Sequence, residues 1–422
     1  MLKLRKPNLN NIMQYNTIPG TVIGSVIGST PPPSITIPPK TQPTNKVTPK
    51  SKPREADMPR ALNYYADFSG CGFWRMVWPE HTLNAYHKAI VHGSTVMVTD
   101  EKYYTGVKTV RIQRQATPAQ LKFVKYLKQL SDKLAFNLVY EIDDIVFYED
   151  IPKYNRFRGA FVDDEIRNST IEMMQLADEI TVTCDYMKDY YADKTGNKNI
   201  TKIPNYPPRF WLDQYDELMV EKNYSKRKKK PRVLYAGSGA HFDVDNLDGQ
   251  RDDFGHVVDA VRKTVNKYQW IFIGAYPPRL GDLVRSGKIE FYQWTNLYDY
   301  PRLVKKVKPN VLVAPLVDNV FNRSKSDLKF VEGCAFGVPA ICQDLCTYED
   351  AFFKFRTGSE MVDQIDHVMK DKNTFMKIVR KGRMLADKRW LENPENIDKY
   401  TELYTLPYGH KDRELLNSLN GI

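Results

Sequence analysis

The chain has 422 residues, 62 Lys+Arg against 51 Asp+Glu and 12% aromatic residues, enough for two or three domains at about 100–200 residues each. That size excludes a disulfide-stapled miniprotein, and the aromatic content excludes a chain disordered throughout. Cys71, Cys184, Cys334, Cys342 and Cys346 are few and never spaced CxxC, so neither a zinc module nor a disulfide framework is indicated, and the reading is of a reduced, cytoplasmic protein. No run approaches the roughly 18 apolar residues of a membrane span. The N-terminal IPGTVIGSVIGS is short and broken by glycines, so no targeting segment is expected.

Charge is unevenly placed. Residues 1–60 hold nine Lys/Arg and two Asp/Glu, leaving 53 basic and 49 acidic residues for the remainder. The surplus therefore sits mostly on the N-terminal segment rather than on the folded body. The same segment carries 11 of the 26 prolines. It cannot bury enough apolar surface to offset its ordering entropy, so residues 1–59 are expected to be a disordered, Pro-rich basic arm. The arm reads either as a solvated leader or as a contact for an anionic partner.

Order is expected to begin at Ala61-Leu-Asn-Tyr-Tyr-Ala-Asp-Phe, a strand followed by Ser69-Gly-Cys-Gly-Phe-Trp. The run Trp78 to Val91 has helical spacing. VMVTD (96–100) reads as a strand, 119–134 as a helix, 136–144 as a strand, 165–179 as a helix and 180–184 as a strand. This rhythm predicts parallel βαβ units. A charged linker over 209–230 ends in Lys226-Arg-Lys-Lys-Lys, and a second series follows. It comprises strands at 232–238, 268–275, 289–294, 310–316 and 338–343, with helices near 252–266, 326–337 and 373–403. Two such series predict an α/β protein of two Rossmann-like, doubly wound domains. The expected bounds are 60–208 for the first and 231–390 for the second, with a helical segment over 391–422. Ligands in such sheets bind beyond the carboxyl ends of the strands, which places the chemistry in a central cleft.

The stretch from Asn310 through Ala340 is the richest in chemistry. A buried strand runs into a polar, basic loop, which feeds a helix whose N-cap is expected at Ser324 or Ser326. A helix start offers free N–H donors and the positive dipole end, and Arg323, Lys325 and Lys329 add cations in the first turns. Paired charge-assisted contacts of this kind suit a diphosphate. Glu332 follows, beside the small Gly333 and Ala335, where a carboxylate can accept hydrogen bonds from ribose hydroxyls. A solvated Lys329–Glu332 pair at i,i+3 is the plainer alternative.

On these residues the chain resembles a known family. LKFVEGCAFGVPAICQD resembles the LLEAMACGVPVIA helix–strand signature of GT-B glycosyltransferases of the retaining, family-4-like type. Four further segments agree in order. Ser69-Gly-Cys-Gly-Phe-Trp-Arg resembles the glycine-rich first loop, and Tyr140-Glu-Ile-Asp-Asp the strand end that lines the sugar pocket. ADEITVTCDYMKDYY with KIPNYPPRFW is similar to the run that closes the first domain, and RVLYAGSGAHFD to the first strand and loop of the nucleotide domain. The likeness spans roughly 61–345, and the short form of the fold is similar to enzymes of large tailed phages.

The resemblance implies the GT-B fold and transfer of a sugar from a nucleotide diphosphate sugar, UDP-linked, to an acceptor hydroxyl with retention. It implies no cofactor and no metal. By it, Glu332 would hold the ribose, Arg323, Ser324, Lys325, Ser326 and Lys329 the diphosphate region, Trp294 and Thr295 the base, and Gly70 and Gly72 the donor-facing loop. Asp143, Asp144 and His241 would face the reacting sugar. Asp143 could equally cap a turn, and the two glycines could mark an ordinary tight turn. The sequence departs from the family where a second Glu is usual, since Ser324 stands there, and where an Arg and a Lys usually follow the second domain's first strand. Cys342 and Cys346 read as core and loop thiols.

The acceptor implied by the phage-like members is a hydroxymethylated base such as 5-hydroxymethylcytosine in double-stranded DNA, in the host cytoplasm if the chain is phage-encoded. The basic arm, the KRKKK run and the aromatic content fit that partner, although KRKKK also fits a solvated tether. The alternatives are a cell-envelope glycan or protein acceptor, and a non-catalytic nucleic-acid-binding protein on a GT-B scaffold.

Overall fold

Short runs of three to seven residues, most of them apolar, form twelve strands in two sheets among the described residues. The computed structural model describes residues 58–243 and 252–409. The expected N-terminal arm, apart from its last two residues, and positions 410–422 lie outside them.

The first sheet contains β1 (Arg60–Tyr64), β2 (Ile90–Ser94), β3 (Val107–Gln113), β4 (Asn137–Glu141), β5 (Glu179–Val182) and β6 (Ile200–Lys202). They are ordered β2-β1-β3-β4-β5-β6 with every pairing parallel. The second contains β7 (Arg232–Gly237), β8 (Gln269–Gly274), β9 (Glu290–Gln293), β10 (Val311–Ala314), β11 (Ala340–Gln343) and β12 (Phe353–Phe355). These are ordered β12-β11-β10-β7-β8-β9, again all parallel. The order reverses between β1 and β3 in one sheet and between β7 and β10 in the other. Loops leaving the carboxyl ends diverge at those points and open a crevice.

The helices follow their sequence signals. Pro118–Leu134 starts at a capping box of Thr117 and Gln120 and buries Phe123, Val124, Leu127 and Leu130 at helical spacing. Its chain reverses at Ala135, with φ at +57°. Trp74, Trp78, Trp211 and Phe336 stack edge to face and offset, with Trp74–Trp211 centroids at 5.0 Å and Trp211–Phe336 at 5.4 Å. One apolar cluster thereby joins residues around the first sheet to residues around the second.

Several elements differ from the sequence reading. The edge strand is Ile90–Ser94 rather than 96–100, because β2 carries His92 and Gly93 and lacks an apolar run. The helix from Trp78 ends at Ala85, ahead of His87 at φ +52°. Near 252–266 only Val258–Thr264 is helical. The 209–230 segment is not an extended tether. It holds helices Arg209–Leu212 and Glu217–Arg227, the latter capped by Asp216 and anchored by Tyr224, whose hydroxyl donates to the Met369 carbonyl at 3.0 Å. The Lys226–Lys230 run is exposed and leads into the start of β7, at the opposite end of that strand from the crevice.

The helix Pro394–Thr405, last among the described residues, returns to the first sheet. The Tyr404 hydroxyl accepts from Arg111 at 2.6 Å and donates to Asn63 at 3.1 Å, while Lys88 pairs with Asp398.

Candidate active site

Between the carboxyl edges of the sheets lies a cleft of about 270 Å³. From the first sheet's side it is lined by Gly70, Cys71, Trp74, Asp143, Asp144 and Asn205. From the second come Ala236, Gly237, Ser238, His241, Trp294, Leu297, Tyr300, Lys325, Ser326, Leu328, Lys329 and Glu332. A chamber of about 160 Å³ adjoins it, sharing His241, Lys325, Ser326, Leu328 and Lys329 and adding Tyr235, Pro315, Leu316 and Tyr348.

The helix Leu328–Phe336 supplies the central groups. Its N-cap is Asp327, which makes no side-chain cap because Arg389 holds its carboxylate, with one contact at 3.1 Å. The first-turn N–H groups of a helix have no intrahelical partner, and here Leu328 and Lys329 face the cleft. Gly333 lets this helix lie against the next strand, since a Cβ there would sit 2.6 Å from the Val338 carbonyl oxygen. Glu332 accepts a hydrogen bond from the Tyr300 hydroxyl at 3.2 Å. Burial pushes its carboxyl above the ordinary range, against the opposing pull of Lys329 and Tyr300. Lys329 donates to the Ala236 carbonyl, and burial lowers its ammonium, with Glu332 opposing the shift. Both groups thus pay for desolvation with little compensation, a condition that clusters at functional sites.

Contacts across the cleft are specific. Lys325 Nζ lies 2.7 Å from Asp144 Oδ2, and Asn205 Nδ2 donates to Ser326 Oγ at 3.1 Å. Asn205 is in turn held by Arg75 at 3.0 Å. Arg75 is part of a π-wound turn, Phe73–Val77, that also turns Trp74 to the cleft. Asp143 lies 3.7 Å from Arg114, which pairs with Asp67 at 2.6 Å. Burial works to raise the Asp67 carboxyl, but Arg114 and the hydrogen bonds from Ser69 and Gly72 hold it low. Asp67 thereby fixes the 69–72 loop. Trp294 is 56% exposed at the rim and lies over Gly274, whose φ of +92° and missing Cβ admit the ring. His241 Nδ1 meets Asp253 Oδ2 at 2.7 Å, and Asp253 is 1% exposed.

The structure thus brings Gly70, Asp143, Asp144, His241, Trp294, Lys325, Ser326, Lys329 and Glu332 to one cleft, and leaves four expected residues off its lining. Arg323 precedes the helix and is turned to Asp318 in a two-point ion pair at 2.6 and 2.9 Å. Ser324 is buried, its hydroxyl donating to the Phe321 carbonyl at 2.6 Å, so it does not cap the helix. Gly72 packs against Asp67 and Thr295 lies beyond the rim. Trp74, Asn205, Tyr300 and Asp253 were not singled out from the sequence. Trp74 and Asn205 stand within segments that carry the family resemblance, but their place in the cleft, like that of Tyr300, depends on partners distant in the chain. Among the described residues, no group of three or more His, Cys, Asp or Glu is placed to hold a metal.

Solved structures resemble this chain in fold. HepE of Anabaena, determined with UDP, with UDP and glucose, and with UDP-glucose, superposes with a TM-score of 0.54 at 10–11% identity, over 86% of this chain and 100% of HepE. The fold is GT-B. TarM of S. aureus, bound to UDP, matches at a TM-score of 0.46 with 10% identity over 71% of this chain and 55% of TarM. The BGT of phage T4 with UDP-glucose matches at 0.45 with 12% identity over 83% and 100%. No protein-family model and no curated protein matches the sequence.

Proposed function

We propose that this GT-B chain is a glycosyltransferase that takes its sugar from a UDP-sugar and transfers it to an acceptor hydroxyl with retention at the anomeric carbon. The observation that carries the reading is the helix start at Leu328, which faces the first sheet across the cleft with Lys325, Lys329 and Glu332 around it. HepE, which shares the fold, holds UDP and UDP-glucose.

In this reading the base lies against Trp294, Glu332 accepts from the ribose, and the diphosphate meets Lys325, Lys329 and the helix N–H groups. The bond from the anomeric carbon to the diphosphate oxygen breaks with its electron pair staying on the diphosphate. The acceptor oxygen bonds to that carbon on the same face, and its proton passes to the departing diphosphate. In this reading the cations lower the barrier by meeting the oxygen where charge develops. Asp143 and Asp144 border the sugar from the opposite side.

For the acceptor we propose a hydroxymethylated base in duplex DNA. It is supported by the basic N-terminal sequence and by Phe68 and Phe157, which are 60% and 48% exposed in loops leaving the carboxyl ends of β1 and β4. The Lys226–Lys230 run, on the far edge of the second sheet, lends it no support.

Calorimetric titration with UDP tests the donor site, and absence of binding refutes it. Mass spectrometry of 5-hydroxymethylcytosine duplexes incubated with a panel of UDP-sugars tests the acceptor. A mass gain of one sugar is expected, and no gain with any donor, alongside transfer to a glycan or protein, overturns the DNA reading.

A further inference from the structure

Asp253 is shared between the two sides of the cleft. Its Oδ2 meets His241 Nδ1 at 2.7 Å. Its Oδ1 accepts from Asn322 Nδ2 at 2.6 Å, from the Tyr154 hydroxyl at 2.8 Å and from the Val317 N–H at 3.0 Å. Asn322 is fully buried and also donates to the Val317 carbonyl at 2.9 Å, so the carboxylate sits in a rigid cradle on the second sheet's side. Tyr154 is the exception. It belongs to the loop after β4 in the first sheet and is 4% exposed, with Asn319 and Asn322 also within hydrogen-bond reach at 3.3 and 3.1 Å. Nearby, Ile145 and Ile151 of the same loop pack on Phe321.

A carboxylate removed from water needs its lone pairs filled, and losing a donor leaves the others to carry the cost. With Nδ1 committed to Asp253, Nε2 is the His241 nitrogen left for the cleft, where Lys325 and Lys329 line the same walls. Arg156 of the first sheet's side also lies close to this turn, with a guanidinium nitrogen 3.3 Å from where a Cβ on Gly239 would stand.

We propose that Asp253 is a positioning residue that holds the His241 ring with Nε2 directed at the donor's diphosphate. Tyr154, by donating to the same carboxylate, makes that orientation depend on the seating of the first sheet's loop. This rests on the UDP-sugar reading above. Residues 238–243, just after β7, hold no arginine or lysine, and a histidine braced by the facing half supplies a donor there when both its ring nitrogens carry protons.

The test is a set of UDP affinities measured by calorimetry on the full chain. His241→Gln and Asp253→Asn are each expected to weaken UDP about tenfold, and the double variant no further, because both remove one unit. Tyr154→Phe keeps the ring and removes only the hydroxyl. It is expected to weaken UDP about threefold alone and not at all in the His241→Gln background. Additive losses, or UDP affinity unchanged in Asp253→Asn, overturn the proposal. A wild type that binds no UDP refutes the donor reading instead. Nitrogen-15 spectra of the His241 ring then decide the positioning role on their own. With UDP bound, both ring nitrogens are expected to carry protons in the wild type and the Nδ1 signal to change in both Asp253→Asn and Tyr154→Phe, and identical ring spectra in all three overturn it.

Discussion

At the carboxyl edge of the first sheet, Glu141 is enclosed. Arg75 and Arg111 each take one of its oxygens at 2.6 Å, Thr181 donates to it as well, and Arg111 is completed by Tyr404. At the same edge of the second sheet, Glu332 takes one hydroxyl and Lys329 one carbonyl, and both groups are shifted toward their neutral forms by burial. These two carboxylates, one at the edge of each sheet, are thus held in opposite ways. Glu141 is held on both oxygens by arginines of the first sheet's side, and the cluster is braced by the helix Pro394–Thr405 through Tyr404. Glu332 and Lys329 have one hydrogen-bond partner each among the described residues, so a ligand carrying phosphate and hydroxyl groups gains what the protein has forgone there.

The sharpest way to break this contrast is Glu141→Ala. It strands two buried guanidiniums and should cost about 3–5 kcal/mol, read as a shift in the urea unfolding midpoint. A loss below about 1 kcal/mol would mean that the cluster is not a unit.

Lys329→Met should do the reverse, leaving stability equal or higher while weakening UDP about 10–100-fold, as expected for one charge-assisted contact. Calorimetry and a melting curve on the same sample check both halves.

Glu332→Gln sharpens the same point through pH. The folded-state carboxyl is raised, so the native chain binds more protons than the unfolded one and stability falls as pH rises. This contribution is full below the ordinary carboxylate value of about 4.3 and is lost as pH climbs through the raised one. As pH climbs from the ordinary carboxylate value through the raised one, the wild type should therefore lose ground to Glu332→Gln, while the variant binds UDP about tenfold more weakly. Parallel stability curves for the two proteins would refute the role of burial.

A smaller effect is expected from Lys325→Ala. Its partly exposed pair with Asp144 is worth about 1 kcal/mol or less, so a loss of a few-fold in UDP affinity should come mostly from the missing phosphate contact. The smallest is Lys228→Ala with Lys229→Ala. These residues stand behind the second sheet, and UDP affinity should stay within about twofold, surface substitutions away from a site being close to neutral.

The rhythm of short apolar runs made the α/β plan readable, because parallel strands buried on both faces stay apolar throughout. β2 was misplaced because an edge strand needs no such run. The helix Glu217–Arg227 read as linker because its charged face outweighs the few side chains, Tyr224 above all, that hold it to Lys372–Ala386. Lys325, Lys329 and Glu332 were legible since they share one loop and one helix. Arg323 was not separable from them, because its pairing with Asp318 depends on how the loop turns.

Residue order alone therefore determined the strand and helix alternation, the basic loop and the helix that follows it, all of which rest on neighbours in the chain. Only the tertiary structure decided that Asp144 faces Lys325, that Asp253 orients His241, and that Tyr154 reaches across to the same carboxylate. Those contacts join residues 99 and 181 positions apart in two of the three cases, and 12 apart in the third. No local pattern encodes a meeting that depends on how two separately built sheets come to rest against each other.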